Sequence, residues 1–67
     1  MITDMHGRPL DAGAHVEAWR DGDRYTGIVQ RIDPACTGSS YHPVVIIRDS
    51  DDAEMGSFSD AIGILPE

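Results

Sequence analysis

Polar and apolar residues alternate along two neighbouring segments of the chain, residues 15–20 and 24–32, and the sequence Asp-Gly-Asp separates the two segments. Alternation with a period of two, in β-branched and aromatic residues, is typical of half-buried strands. A short connection that contains Asp-Gly is typical of a β-hairpin turn. The pattern therefore predicts a hairpin at the beginning of the folded part of the chain.

The register of this hairpin stays open, because two loop lengths fit the pattern. A three-residue loop places Trp19 opposite Tyr25, whereas a four-residue loop places Ala18 opposite Gly27, and a bulge at Gly27 would reconcile the two. A slip of one residue moves every side chain to the other face of the sheet. We expect the turn to bring Trp19 close to Tyr25, so that the two rings stand side by side at one end of the hairpin.

Three further short strands are expected after the hairpin. Residues 44–47 form an unbroken run of β-branched side chains, which predicts a strand that is buried on both sides. Glu54–Phe58 is a weaker strand, Ser59–Ala61 is expected to form one helical turn with Ser59 as its N-cap, and residues 62–65 complete the sheet. Five short strands with one 3₁₀-like turn before the last strand predict an all-β, five-stranded SH3-like barrel.

The other segments of the chain are predicted to be irregular. Residues 1–14 contain Gly and Pro without sustained periodicity and form an irregular lead-in, so that a single domain spans residues 15–67. Residues 33–43 are rich in Pro, Gly and Ser and form the longest loop. A chain of 67 residues has room for one modest core. The residues expected in that core are Val16, Ala18, Val45, Ile47, Ile62 and Leu65.

The charge of the chain bears on its partners. Five Arg and no Lys stand against 12 acidic residues, which gives a net charge of −7. Nucleic-acid binding that does not depend on base sequence needs clusters of basic residues, because it is driven by neutralisation of phosphates. We therefore expect a protein partner with a basic segment rather than a nucleic acid.

The cysteine count and the terminal sequence bear on location. A single cysteine, Cys36, excludes an intramolecular disulfide and fits a reducing compartment. We find neither a signal-peptide pattern nor a run of 18 apolar residues, so we expect a cytoplasmic protein without a membrane partner. The use of Arg without Lys, beside many Ala, Gly and Asp residues, suggests a bacterial or phage genome rich in GC.

We expect no metal, no cofactor and no catalytic residue. The acidic segment 49–54 lacks the Gly at the sixth position and the Glu at the twelfth that a calcium loop requires. Cys36 and His42 supply two zinc ligands where three or four are needed. Ser39, Ser40, His42 and Asp49 offer the atom types of a nucleophilic site, but no family spacing accompanies them.

One family resemblance covers residues 16–66. The residues that carry it are Val16-x-Ala18-Trp19-x-Asp21-Gly22-x-x-Tyr25-x-Gly27-x-Val29-x-x-Ile32-Asp33, then Val45-x-Ile47 and Ser59-Asp60-Ala61-Ile62-x-x-Leu65. This pattern resembles a Tudor domain, an SH3-like barrel whose aromatic cage binds methylated arginine or lysine. The resemblance implies that Trp19 and Tyr25 are cage walls and that Asp52 is their acidic partner. Ile47 and Ser50 stand where the family has further aromatic residues, which leaves half a cage.

The leading hypothesis is a non-enzymatic interaction module that contacts an Arg- or Lys-bearing protein segment through Trp19, Tyr25 and Asp52. Two alternatives stay open. The first is a nucleic-acid-associated barrel of the KOW type, which shares the same short pattern and would need the five arginines on one face. The second is an acidic phage or mobile-element protein that mimics the charge of DNA and blocks a host protein. The sequence does not indicate an oligomeric state.

Overall fold

The computed structural model of the chain describes residues 2–34 and 42–66. These residues form five strands, β1 (His15–Arg20), β2 (Asp23–Ile32), β3 (Pro43–Arg48), β4 (Glu54–Phe58) and β5 (Ile62–Ile64), with a 3₁₀ turn at Ser59–Ala61 before the last strand. The prediction of an all-β chain with five antiparallel strands is confirmed. In the described part of the chain, no helix is long and apolar enough to cross a membrane.

The five strands lie in one antiparallel sheet in the order β4-β3-β2-β1-β5. β4 and β5 are its two edges, and over the described residues no pairing joins them, so the sheet is not closed into a ring. The register between β2 and β3 shifts between Val29 and Arg31, which marks an irregularity in the longest strand. Such a bulge bends a strand and increases its twist, so that one strand can serve both halves of a curved sheet.

The first hairpin has a loop of two residues, Asp21 and Gly22, whose φ angles are 53° and 83°. Positive φ at both central residues is the requirement of a type I′ turn, whose twist matches that of the flanking strands. Both loop lengths considered from the sequence are therefore wrong. Asp tolerates the left-handed conformation, so Asp21 and Gly22 close the turn and Asp23 already belongs to β2.

The core confirms half of the predicted residues. Val16, Ala18 and Ile62 are buried, whereas Val45, Ile47 and Leu65 are only half-buried. In the part of the chain that the structure describes, the buried apolar residues are Leu10, Val16, Ala18, Val29, Val44, Ile46, Met55 and Ile62.

The placement of β3 in the core was wrong by one residue. Val44 and Ile46 face inward, and Ile46 lies opposite Val29 of β2. An unbroken apolar run has no period-two signal, so its sequence does not show which alternate side chains point into the core.

The burial of Ile46 on the inward face of β3 predicts that shortening this side chain destabilises the domain. Ile46→Val should lower the free energy of unfolding by about 1 kcal/mol, since it removes one methyl group from a filled core. For a domain of this size that corresponds to a melting temperature lower by about 4–8 °C. Ile47→Val is the matched control on the half-buried face and should cost less than half as much. A larger effect at Ile47 would show that the two faces of β3 are exchanged.

The 3₁₀ turn is not capped as the sequence suggested. Its N-cap position is Phe58, and no side chain caps it. Ser59 instead continues the ladder between β3 and β4: its N–H donates to the carbonyl of His42 at 3.0 Å, and its Oγ accepts the N–H of His42 at 3.2 Å. These two hydrogen bonds of Ser59 therefore join the end of β4 to His42, the residue before β3.

The N-terminal residues pack on the sheet. Thr3 and Pro9 form an isolated β-bridge, and Leu10 is buried in the core. The N–H of Met5 donates to the carbonyl of Ile62 at 2.9 Å. This lead-in segment thus lies along the outer edge of β5.

Candidate functional site

The hairpin separates the two aromatic residues that the sequence places in one site. Trp19 lies opposite Arg24, and Tyr25 lies opposite Ala18 on the next rung. Successive residues of a strand point to opposite faces, so the two rings are on opposite faces of the hairpin. Trp19 is 45% exposed, whereas Tyr25 is half-buried and packs against the core. The expectation that the rings stand side by side is wrong, because the turn is shorter than expected.

The ring of Tyr25 already holds a cation from its own chain. The guanidinium carbon of Arg48 lies 5.4 Å from the ring centroid, within the range of a cation–π contact. Asp51 holds that guanidinium with two hydrogen bonds, Nε to Oδ1 at 3.0 Å and Nη2 to Oδ2 at 2.6 Å. These hydrogen bonds from Arg48 lower the pKa of Asp51. One face of Tyr25 is thus occupied within the molecule.

Asp52, the third predicted site residue, is a turn residue. It has a positive φ of 56°, is exposed, and donates its N–H to the carbonyl of Arg48 at 2.9 Å. It lies in the connection between β3 and β4. The structure therefore does not bring Trp19, Tyr25 and Asp52 together, and a ligand contact by any of them stays a prediction.

Trp19 instead shares a groove with another aromatic residue, Phe58. Both rings line a groove of about 510 Å³, together with the apolar side chains of Pro43, Val45 and Ala61. Phe58 is 54% exposed. We call this surface the Trp19–Phe58 groove.

Sequence reasoning missed Phe58, although β4 carries a signal for it. Met55 is buried, and the alternation of a strand then places residue 58 on the face opposite to residue 55. An outward-facing aromatic residue is a candidate contact residue where it adjoins other exposed apolar surface, as Phe58 does in the groove.

The groove has the chemistry of a binding surface. Among the described residues, Arg20 is the only charged one that lines it, and its Nη1 lies 3.5 Å from the carbonyl oxygen of Gly56. Ser57 also lines the groove, and within residues 2–34 and 42–66 no histidine or carboxylate joins it there. A serine without a neighbouring base is a weak nucleophile.

No protein-family model, no curated protein and no solved structure matches this chain.

The structure does not group the described polar residues that the sequence offers for metal binding or catalysis. Asp49 Oδ2 is 2.7 Å from His15 Nε2, and this hydrogen bond lowers the pKa of Asp49. His42 is at the opposite end of β3 from Asp49, and the predictions for Cys36, Ser39 and Ser40 fall outside the described residues. Across residues 2–34 and 42–66, no three histidine, aspartate or glutamate side chains are grouped for a metal ion.

Proposed function

We propose that this chain is a non-enzymatic interaction module that binds an Arg- or Lys-bearing protein segment in the Trp19–Phe58 groove. The observation that carries the proposal is the exposure of two aromatic rings along one apolar groove of an acidic chain. A cation over the face of an aromatic ring gains about 0.5–2 kcal/mol. We further propose that the sheet is an SH3-like barrel of the Tudor type. Five short strands with a 3₁₀ turn before the last one support this finer assignment.

The charge around the groove supports a basic partner. Asp21 follows Arg20 in the hairpin turn, Asp60 precedes Ala61 in the 3₁₀ turn, and both aspartates are exposed. Each of them is the sequence neighbour of a groove residue, in two different elements. With a net charge of −7, the chain attracts a cationic segment before contact is made.

The pairing of the arginines supports the same choice over a nucleic acid. Four arginines are joined to carboxylates: Arg8 to Asp4 at 3.2 Å, Arg24 to Glu17 at 2.8 Å, Arg31 to Asp33 at 3.1 Å and Arg48 to Asp51 at 2.6 Å. A carboxylate beside a guanidinium offsets part of its positive charge, which weakens the attraction of that arginine for a phosphate. Arg20, in the groove, is the remaining arginine, so the KOW-type alternative has little unpaired basic surface to use.

The proposal is tested by titration with an arginine-rich peptide. Trp19 is the only tryptophan in the sequence, so its emission reports directly on the groove. We expect a weak change of emission with a dissociation constant of about 0.1–1 mM, since two rings supply only a few kcal/mol. Added salt should weaken binding, because it screens the carboxylates over about 10 Å at 0.1 M. A glutamate-rich peptide of equal length should not bind.

Binding of a labelled arginine-rich peptide to variants of the protein, measured by fluorescence anisotropy, tests whether the groove is the site. Trp19→Ala and Phe58→Ala should each weaken binding at least about tenfold, as expected for aromatic anchors. Ile28→Ala is the matched control, because Ile28 is 40% exposed but does not line the groove.

Three results would contradict the proposal. The first is unchanged binding by Trp19→Ala. The second is unfolding by Trp19→Ala, which would make Trp19 a structural residue. The third is submicromolar, strongly salt-dependent binding of DNA or RNA, which would favour the KOW-type reading. Selective capture of a host DNA-binding protein, with no peptide binding, would instead favour the DNA-mimic alternative.

A further inference from the structure

The two edges of the sheet differ in how they are covered. The lead-in segment covers the edge of β5: Met5 donates its N–H to Ile62, and the N–H of Ile64 donates to Asp4 Oδ2 at 2.9 Å. Arg8 also donates to the carbonyl of Ile64. An edge strand that is satisfied in this way cannot accept another strand.

The edge of β4 has a different arrangement. Arg48 donates its N–H to the carbonyl of Ala53 at 2.9 Å, and Ser59 donates to His42 at the other end of the ladder. In an antiparallel pair the hydrogen-bonded residues alternate, so residues 53, 55, 57 and 59 bond to β3. The N–H and C=O groups of Glu54, Gly56 and Phe58 therefore point away from β3, towards an edge that no other strand of the described residues pairs with, here called the free edge.

This free edge borders the Trp19–Phe58 groove. Gly56 and Phe58 both line the groove, and a Cβ atom built on Gly56 would meet nothing within 4 Å. The absence of a side chain at Gly56 lets another backbone approach closely. The guanidinium of Arg20 reaches the carbonyl of Gly56 at 3.5 Å, which is the long limit of a hydrogen bond and is easily exchanged for a better one.

We infer that the partner segment binds as an extended strand along the free edge of β4 and pairs its backbone with Gly56 and Phe58. Main-chain hydrogen bonds would supply affinity, and a basic side chain on one face of the added strand would lie over the ring of Trp19. This inference rests on the proposed function, since it describes how the same groove holds its ligand.

Charge favours a basic strand over a second copy of the chain. Antiparallel pairing of two β4 edges would bring the acidic ends of the strands together, with Glu54 of one copy near Asp60 of the other. Like charges across a strand pair are destabilising, and each copy carries a net charge of −7. A strand with alternating basic residues would instead find carboxylates at both ends of β4.

The test uses an eight-residue peptide of alternating arginine and valine and two N-methylated versions of it. One version is methylated on the odd residues and the other on the even residues. A paired strand offers every second N–H to its neighbour. One N-methylated version should therefore bind at least tenfold more weakly than the parent peptide, and the other should bind within about twofold of it.

Amide hydrogen exchange, followed by NMR on the unmodified protein, locates the contact. A saturating amount of the parent peptide should slow exchange severalfold at Glu54, Gly56 and Phe58. The amides of Met55 and Ser57 already bond to β3 and should change little.

Each outcome separates the two proposals. Equal binding of all three peptides, without protection at residues 54, 56 and 58, would overturn strand addition and leave the groove as a site for side chains. Failure of every peptide to bind would overturn the proposed function itself. Protection of the same three amides without peptide, in a protein that sediments as a dimer, would show that the second copy occupies the edge and would overturn the inference.

Discussion

Gly27→Ala is expected to lower the free energy of unfolding by about 3 kcal/mol or more, beyond the usual cost of an extra methyl group in a packed core. A Cβ atom at this position would lie 2.3 Å from the carbonyl oxygen of Ile47 and 2.6 Å from Cγ2 of Ile46. A side chain can rotate away from such a contact, but a backbone oxygen in the middle of a sheet cannot. β2 and β3 must therefore separate where Gly27 lies opposite Arg48.

Gly56→Ala is the matched control, because it introduces the same methyl group into a strand with nothing within 4 Å. Its stability should stay within about 0.5 kcal/mol of the parent or rise slightly, since Gly weakens a strand interior relative to Ala. Urea unfolding of both variants measures the difference. A domain of 67 residues has a total stability of about 3–10 kcal/mol, so Gly27→Ala should remove a large part of it. Similar values for the two variants would show that β2 and β3 tolerate a side chain between them.

The strands themselves were predictable from the sequence, because their signals are local. β1 (His15–Arg20) and β4 (Glu54–Phe58) have the predicted limits, and the 3₁₀ turn lies where it was expected. The hairpin register was not predictable from alternation alone. It depends on whether Asp21 adopts a positive φ, and a small free-energy difference between turn types decides that.

The candidate site was predictable only in part, for a related reason. The exposure of Trp19 follows from its place at the end of a strand beside a turn. Phe58, which lines the same groove, lies 39 residues further along the chain, and no local pattern connects the two. The contact between Tyr25 and Arg48 likewise depends on the pairing of β2 with β3. Sequence patterns indicate which face a residue occupies more readily than which residue it meets across the sheet.

Asp4→Ala is expected to destabilise the domain by about 3 kcal/mol, because it leaves three part-buried backbone N–H groups without their acceptor. The side chain of Asp4 is fully buried. It accepts the backbone N–H groups of His6 at 2.9 Å, Arg8 at 2.8 Å and Ile64 at 2.9 Å, and the Nε–H of Arg8 at 3.2 Å. One carboxylate thus joins the lead-in segment to β5, and the sequence pattern of residues 1–14 does not indicate it.

Asp4→Asn is the matched variant, since it keeps the shape of the side chain but has one acceptor oxygen in place of two. Its loss should be smaller than that of Asp4→Ala, at about 1.5–2 kcal/mol, because some of the hydrogen bonds survive without the charge. Urea unfolding at pH 7 gives both values. Equal stability of the parent and the two variants would show that the lead-in segment contributes nothing to the folded state.

The free energy of unfolding of the parent and of Asp4→Asn, measured as a function of pH, gives the contribution of the Asp4 charge. Burial by itself raises the pKa of this carboxyl, but the hydrogen bonds from Ile64, Arg8 and His6, with the charge of Arg8, outweigh burial and lower the pKa from its ordinary value of 3.8. A carboxyl with a lower pKa in the folded state stabilises the fold above its unfolded pKa, and this contribution is lost as the pH falls through the folded pKa.

The difference in unfolding free energy between the parent and Asp4→Asn should therefore be constant from pH 7 to about pH 5 and should shrink below about pH 4. Asp49 and Asp51 also have lowered pKa values, but they are present in both proteins and cancel in the difference. A difference that does not change down to pH 3 would mean that the hydrogen bonds of Asp4 act through its shape and not through its charge. In that case the contribution of the Asp4 hydrogen bonds to the free energy of unfolding would be independent of pH.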